Sequence, residues 1–401
     1  MQSRLPLLFI LMTVTIDSMG IGLIMPVMPN LITEVNGGTL ANAAIWGGIL
    51  SASYAVMQFI FGPILGSLSD RFGRRKVLLV SLAVMTLDYI VMALAGSIWL
   101  LLIGRLIGGV TAATQATAAA YIADITPAKD RGARFGLLSA AFGMGFILGP
   151  LIGGLLGDLG TRAPFWAAAA LAGANLIFGL IILPETLKPE SRRPFSWARA
   201  NPLGALRSVQ RLPGLAPLLV VLLLYQISFH VYPVIWSYFT QAQFGWDPGM
   251  IGLSLAAFGV SIAIVQAGVI RLSLRHLGEA GTVIAGLCFA ALSFVLLAIV
   301  TSGALALALT PIAALAAIAT PALQSIMSAK CADDAQGELQ GVIASVNALA
   351  LITSPLLMTS VFAKFTSPGT ALYLPGAPFL ASAALCVLGL TLFIRARRRR
   401  G

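Results

Sequence analysis

Apolar runs of about twenty residues recur from one end of this chain to the other, and that length is what an α-helix needs to cross about 30 Å of hydrocarbon. Twelve such runs, punctuated by Gly and Pro, fall at roughly 5–32, 44–68, 76–95, 98–123, 133–157, 163–183, 214–240, 249–272, 280–300, 303–328, 337–362 and 375–395. A membrane β-barrel would show alternating segments of about ten residues instead. Composition closes the soluble route: of 401 residues 58% are hydrophobic and only 10% charged, against about 25% charged in a soluble domain. The expectation is an all-α, multi-pass membrane protein. The 41 glycines and 21 prolines suit membrane-spanning helices better than soluble ones. The first run follows Arg4 but has no small-residue cleavage site, so it reads as a span rather than a removed signal. Cys288, Cys331 and Cys386 lack metal-ligand spacing and read as packing residues.

The net charge of +11 is informative through its distribution. Of the 25 Lys and Arg, 22 fall in alternate loops on one side, including Arg71, Arg74, Arg75, Lys76, Lys129, Arg131, Arg134, Arg271, Arg275, Lys330 and the tail Arg395 to Arg400. The opposite side holds Arg162 and Lys364, and Arg105 falls inside a span. By the positive-inside rule both termini are cytoplasmic, and the basic residues face anionic lipid headgroups. Nucleic-acid binding is disfavoured, because no stacking aromatics are interleaved with the charges.

The longest polar stretch, 184–213, contains five prolines and separates six spans from six. The expected organisation is a six-helix bundle over 1–183, a cytoplasmic linker over 184–213, and a second bundle over 214–401 with a basic tail. A shift of 205 residues aligns Gly73 with Gly278, Gly132 with Gly337, Gly136 with Gly341, and Pro150 with Pro355. That register predicts two pseudo-symmetric halves around a central cavity, an architecture used by alternating-access transporters.

Three ionisable residues fall within spans: Asp17, Asp88 and Arg105. A mid-membrane charge costs at least about 2.5–3.5 kcal/mol, so each is a candidate functional residue. Burial and a nearby Arg105 act in opposite senses on an aspartate, and a site so balanced can take and release a proton. The alternative for Asp88 and Asp17 is a permanently satisfied pair with Arg105 that only fixes helix positions. In span five, Gly145, Gly149, Pro150 and Gly153 belong to a glycine row that gives a bendable, closely packed helix at the interface of the halves. Alone, such a row is as compatible with plain packing as with transport.

After span two comes Gly66-Ser-Leu-Ser-Asp70-Arg71-Phe-Gly73-Arg74-Arg-Lys76. This resembles the signature loop of the major facilitator superfamily. The resemblance implies a gating latch built from Gly66, Asp70, Arg71, Gly73 and Arg74, in which Asp70 accepts hydrogen bonds from a helix N-terminus or pairs with an arginine. Its copy in the second half, Arg271 to Glu279, has Arg275 at the position of Asp70, so gating is expected to be asymmetric. The span-five row resembles the antiporter motif that separates exporters from importers, and Gly104-Arg105 with Gly108-Gly109 is similar to the membrane-arginine motif. With Asp17 to Pro26, Leu87-Asp-Tyr89, Ile122-Ala-Asp124, Phe244-Gly-Trp246 and Pro321 to Gln324, the whole chain resembles the twelve-span drug–proton antiporters, most closely the bacterial tetracycline exporters, and more in its first half than in its second. That implies export of a metal–tetracycline chelate from the bacterial inner membrane in exchange for protons, with Asp17, Asp88 and Arg105 in proton coupling.

Two departures stand out. Where those exporters have an acid on helix nine this chain has Ala290, and where they have a histidine on helix eight it has Ile262. A compensating candidate lies on span seven, where Gln226, Phe229 or His230, Pro233 and Trp236 or Ser237 fall along one helical stripe and Tyr232 is one of six aromatics around His230. They form either an aromatic wall with a titratable group or interfacial aromatics beside a helix-bonded histidine. Tyr54, Gln58, Gln115, Gln266, Gln324 and Asn347 are further candidates for the cavity or, equally, for interhelical bonds. Other expectations are a monomer with no resident cofactor or metal, a magnesium chelate only as substrate, and small-molecule and lipid partners. Rival readings are efflux of another drug or metabolite, proton symport, and a non-transporting membrane sensor. An ATP-driven pump lacks its Gly-rich Lys-Ser/Thr loop here, and no paired catalytic groups suggest an enzyme.

Overall fold

A computed structural model describes residues 5–111, 114–197, 201 and 214–398, and among them it contains helices and no strand. The helices are α1 (Leu5–Ile24), α2 (Met28–Asn36), α3 (Leu40–Phe72), α4 (Arg74–Leu94), α5 (Ile98–Thr111), α6 (Thr114–Ile125), α7 (Arg131–Gly157) and α8 (Ala163–Ile182), then α9 (Ala216–Phe229), α10 (Val231–Phe244) and α11 (Pro248–Ile264). A π-helical turn, Val265–Val269, leads into α12 (Ile270–Ile299), followed by α13 (Gly303–Ala314), α14 (Ala319–Ala329), α15 (Gln336–Thr366) and α16 (Ala377–Arg398). Eleven helical runs among the described residues are long and apolar enough to cross a membrane. One of them, Pro248–Ile299, has 52 residues, far more than one crossing needs. It contains a non-helical residue at Gly278 (φ 65°, ψ 179°), so it supplies two of the twelve expected spans.

Three of the expected spans are broken, the tenth of them by a 3-10 turn, Leu315–Ile318. The first divides at Met25-Pro26-Val27 because Pro26 and Pro29 lack the N–H that would continue the ladder. The seventh turns at His230, where Pro233 cannot bond back to Phe229. Met25 and His230 are themselves 205 residues apart, and the same shift carries α4 onto the part of α12 that follows Gly278. Gly73 (φ 103°) and Gly278 (φ 65°) take left-handed backbone at equivalent helix starts.

The chain forms two compact units: unit 1 comprises Met1–Gly37, Ser53–Pro202 and Asp247–Ala256, and unit 2 comprises Gly38–Ala52, Leu203–Trp246 and Ala257–Gly401. The start of α3 thus belongs with unit 2 and the start of α11 with unit 1. Of the expected linker 184–213, residues 198–200 and 202–213 lie outside the described residues.

In unit 1, α7 lies against α1 through the glycine row. A Cβ on Gly145 would meet Thr15 and Ser18, on Gly149 the backbone of Met19, and on Gly153 the backbone of Leu23. Pro150 in turn packs on Gly22. Gly154 faces Gly252 of α11, which abuts the Pro150 carbonyl. The sequence placed this row at the interface of the halves, but most of it packs on α1, in the same half. Phe9, Ile10, Val14, Leu78, Leu82, Tyr121 and Ile122 fill the core. In unit 2, Gly48 abuts the Pro355 carbonyl and Thr359, while Tyr225, Tyr232, Trp236, Phe239, Phe362 and Phe379 are fully buried.

Candidate functional site

A tight connection joins α4 to α5, with the Ser97 hydroxyl accepting from the Leu100 N–H at 3.3 Å. Asp88 lies six residues before the end of α4 and Arg105 seven after the start of α5, so the antiparallel hairpin brings them to the same depth. Asp88 Oδ2 and Arg105 Nη2 stand 4.0 Å apart, with side chains 2% and 10% exposed. Two glycines make the space: a Cβ on Gly104 would come within 2.9 Å of Asp88 Oδ1, and one on Gly108 within 2.7 Å of Oδ2. The arginine therefore sits in a glycine-rich helix because the facing carboxylate occupies the volume of the missing side chains. Tyr54 of α3 lies under the guanidinium, 5.4 Å from ring centroid to Cζ.

Asp17 joins this group through α1. The Tyr89 hydroxyl, beside Asp88, packs on Gly20, one helical turn from Asp17, and Tyr54 and Tyr89 lie within electrostatic range of Asp17, Asp88 and Arg105. The three charges singled out in the sequence are thus neighbours in unit 1. Asp88 Oδ1 and Arg105 Nε are buried with no hydrogen-bond partner among the described residues. Gln58 is half-buried, one turn along α3 from Tyr54. The side chain of Gln115 lies outside the described residues.

A second cluster surrounds the loop after α3. Arg74, expected in the latch loop between spans two and three, is the first residue of α4 and buried. Its Nη1 contacts Asp70 Oδ1 at 2.6 Å and donates to Ser69 Oγ at 2.6 Å, and its Nε reaches Asp124 Oδ2 at 3.3 Å. The Glu185 carboxylate accepts from the N–H groups of Arg74 (2.9 Å) and Arg75 (3.3 Å), so it caps α4 at its positive end. Gly73 leaves the room, since a Cβ there would strike that carboxylate. Asp124 and Glu185 escaped sequence reasoning as site residues, because 50 and 111 residues separate them from Arg74. An acid at the end of a span and another just after Pro184 were the available signals. Arg71 and Gly66 belong to α3, Arg71 exposed and Gly66 with open space beside its Cα.

In unit 2 the span-seven stripe divides. Gln226 Nε2 donates to Asn347 Oδ1 at 2.8 Å, and His230 Nδ1 donates to the Gln226 carbonyl at 2.6 Å. That bond sets the tautomer and turns Nε2 outward as an acceptor when the ring is neutral. Gln226, Phe229, His230 and Asn347 are half-buried. Tyr232 and Trp236 correct the expectation of an aromatic wall. They are 1% and 0% exposed, Tyr232 stacks on Trp236 and Phe258 at 4.2 and 3.8 Å, and its hydroxyl lies 3.2 Å from Thr310 Oγ1. Helical spacing put Trp236 on the stripe with Gln226, but Phe239 and Phe379 pack on Trp236, while α11 and α13 cover Tyr232. Gln266 is exposed on the π-helical turn and Gln324 half-buried on α14, so the structure does not gather them with Gln226. Ala290 is fully buried and accepts from Ser293 Oγ at 3.1 Å, while Ile262 is half-buried.

An all-helical chain of membrane-length apolar helices, with a buried acid–arginine pair among them, is a multi-pass membrane protein of the transporter class. Residues 10–355 match the Major Facilitator Superfamily, and the chain belongs to that family. It is 43% identical over 393 residues to the tetracycline resistance protein of class C from Escherichia coli, covering 96% of this chain and 98% of that one. It is 37% identical to the class B protein from Escherichia coli over 86% of each chain. Its fold is similar to a bacterial homolog of the human lysosomal transporter Spinster (TM-score 0.82, 15% identity, 99% of this chain and 98% of that one). It is similar also to the human organic anion transporter MFSD10 (TM-score 0.70, 24% identity, 98% and 100%).

Proposed function

We propose that the protein is a secondary active transporter exporting a tetracycline-like amphiphile in exchange for protons. The observation that carries the reading is the Asp88–Arg105 pair, buried in apolar helices beside Tyr54, which lies within electrostatic range of Asp17 as well. Such a charge is retained in a membrane where it does work. Asp17 and Asp88 take up and release the coupling protons, with Arg105 the charge partner beside Asp88. Similarity to tetracycline resistance proteins supports the substrate class, which enters as a magnesium chelate without a resident cofactor. Gln226, His230 and Asn347 offer donors and acceptors to it, and Phe229 an apolar surface. The Asp70–Arg74 cluster, with the α7 glycine row, gates alternating access between two six-helix halves joined by the linker.

The basic loops set the orientation, with both termini cytoplasmic in a bacterial inner membrane, and the chain acts as a monomer rather than as an enzyme. A second reading, efflux of a different drug, is favoured by the burial of Ala290 where tetracycline exporters are expected to carry an acid. Tetracycline uptake into energised inside-out vesicles, with and without magnesium and a protonophore, beside Asp17→Asn, separates the two. Uptake that collapses with the proton gradient and in Asp17→Asn supports tetracycline exchange. Proton-driven uptake of other amphiphiles alone supports the second reading, and full coupling in Asp17→Asn removes the assigned centre.

A further inference from the structure

At one end of unit 2, the start of α9, the residues after Gly278, and the ends of α14 and α16 surround a cleft of about 390 Å³. Its lining combines three chemistries. Lys330 caps the C-terminus of α14 and Arg397 lies in the last turn of α16, both on the cleft wall and both exposed. Glu279 lies on the same wall, its Oε1 accepting from the Ser325 hydroxyl. Leu218 and Phe393, 4% and 3% exposed, provide an apolar floor. The helices that end here are of membrane-crossing length, so the cleft opens at the depth of the lipid headgroups.

We propose that this cleft binds the headgroup of an aminophospholipid. Two cations suit a phosphodiester. A carboxylate with a second oxygen to offer suits a primary ammonium, which donates up to three hydrogen bonds where a quaternary ammonium donates none. The apolar floor suits the glycerol and first acyl carbons, and cationic side chains at helix ends are placed to meet lipid phosphate. Two cations against one carboxylate complement a phosphate–ammonium zwitterion, and the Ser325 bond holds the carboxylate in place. This site shares no residue with the Asp88–Arg105 and Asp70–Arg74 clusters and does not depend on what is carried.

The test uses the purified full-length chain in neutral detergent micelles. The readouts are the thermal unfolding midpoint and, by native mass spectrometry, the number of bound lipids after addition of phosphatidylethanolamine, phosphatidylglycerol, phosphatidylcholine or inorganic phosphate. Phosphatidylethanolamine is expected to raise the midpoint by several degrees with one lipid retained. Lys330→Gln/Arg397→Gln should lose at least half of that shift, while Arg192→Gln/Arg193→Gln, which removes equal charge elsewhere, should keep it. Glu279→Gln should abolish the preference for phosphatidylethanolamine over phosphatidylglycerol without abolishing binding. Ala280→Leu, which fills the cleft and removes no charge, should abolish both shift and retained lipid. Should the double variant not fold, the Glu279 and Ala280 variants decide alone. An equal shift from phosphatidylcholine, an unchanged response in Ala280→Leu, or a full shift from inorganic phosphate overturns the proposal.

Discussion

Units 1 and 2 are built on one plan, yet they are furnished with opposite chemistry. The shift of 205 residues that carries Gly73 onto Gly278 and Pro150 onto Pro355 carries Asp88 onto Ser293 and Arg105 onto Thr310. Both hydroxyl residues are buried and bond to their own helices, Ser293 to Ala290 and Thr310 to Ala306. The same shift carries Asp17 onto Leu222, which is fully buried. Unit 1 therefore holds charge in its helices, where unit 2 has packed aromatics and self-satisfied hydroxyls. A buried hydroxyl can be satisfied by its own helix, whereas a carboxylate and a guanidinium need partners from elsewhere. The fold accommodates both solutions, so packing alone does not call for the charges of unit 1.

The strongest way to break this contrast is to neutralise each pair. Asp88→Asn or Arg105→Gln leaves one partner of a buried pair alone, which costs about 3–5 kcal/mol. The 4.0 Å separation puts this pair at the low end, and about 3 kcal/mol corresponds to roughly 100-fold in the folding equilibrium. The thermal unfolding midpoint should fall accordingly and proton-driven uptake in vesicles should be lost. Ser293→Ala and Thr310→Ala should change uptake less than about threefold, Ser293 giving up one hydrogen bond and Thr310 its bonds to Ala306 and Tyr232. Equal losses in the two units would erase the distinction.

The glycines sharpen it next. Gly108, whose Cβ would strike Asp88, has Ala313 as its counterpart, and Asp88 itself is replaced by the smaller Ser293. Gly108→Ala should displace the carboxylate, reduce uptake by about tenfold, equivalent to 1.4 kcal/mol, and shift its pH profile. Ala313→Gly should show only the propensity loss of about 1 kcal/mol in the unfolding midpoint, with an unchanged pH profile. In unit 2, Tyr232→Phe removes the 3.2 Å contact with Thr310 and should lower stability by about 1 kcal/mol, read by thermal unfolding, with no effect on coupling.

Much of this was legible in the sequence, for identifiable reasons. Span positions follow from run length, and the Asp88–Arg105 pairing follows from two spans joined by a short turn. The break at Pro26 is marked by the residue that causes it, whereas the break at His230 is caused by Pro233, three residues on. Helical spacing aligned Gln226, Phe229 or His230, and Trp236, but which of the span-seven aromatics neighbouring helices cover depends on tertiary packing. It covers Tyr232 and Trp236. The Glu185 cap on α4 depends on a partner 111 residues away, beyond any local pattern. The continuous run across Gly278 shows the opposite limit: the sequence put Gly278 between two spans in register with Gly73, but nothing in the residues showed that both its flanks stay helical.

The smallest predicted effect lies at the loops, where the contrast between the units persists. In unit 1, Glu34 accepts from Thr161 at 2.5 Å and pairs with Arg162 at 3.1 Å, while Arg162 also donates to the carbonyls of Ala93 and Ala95 at 2.9 and 2.8 Å. The shift places Phe239 and Ser367 at the corresponding positions of unit 2, so no equivalent clamp is expected there. The Thr161 hydroxyl, and after it the Arg162 guanidinium, hold the Glu34 carboxyl below its ordinary value of 4.5 against an opposing effect of burial. A carboxyl lowered in the folded state stabilises above its unfolded value and loses that contribution as the pH falls through the folded one. With Glu34 46% exposed, solvent screening limits the contribution to about 1 kcal/mol or less. Glu34→Gln should therefore lower the unfolding midpoint slightly at neutral pH, and the difference from the unsubstituted chain should shrink to nothing as the pH falls below 4.5. A difference that persists or grows in acid would show that Glu34 acts through packing, and would remove the clamp from the list of charge effects peculiar to unit 1.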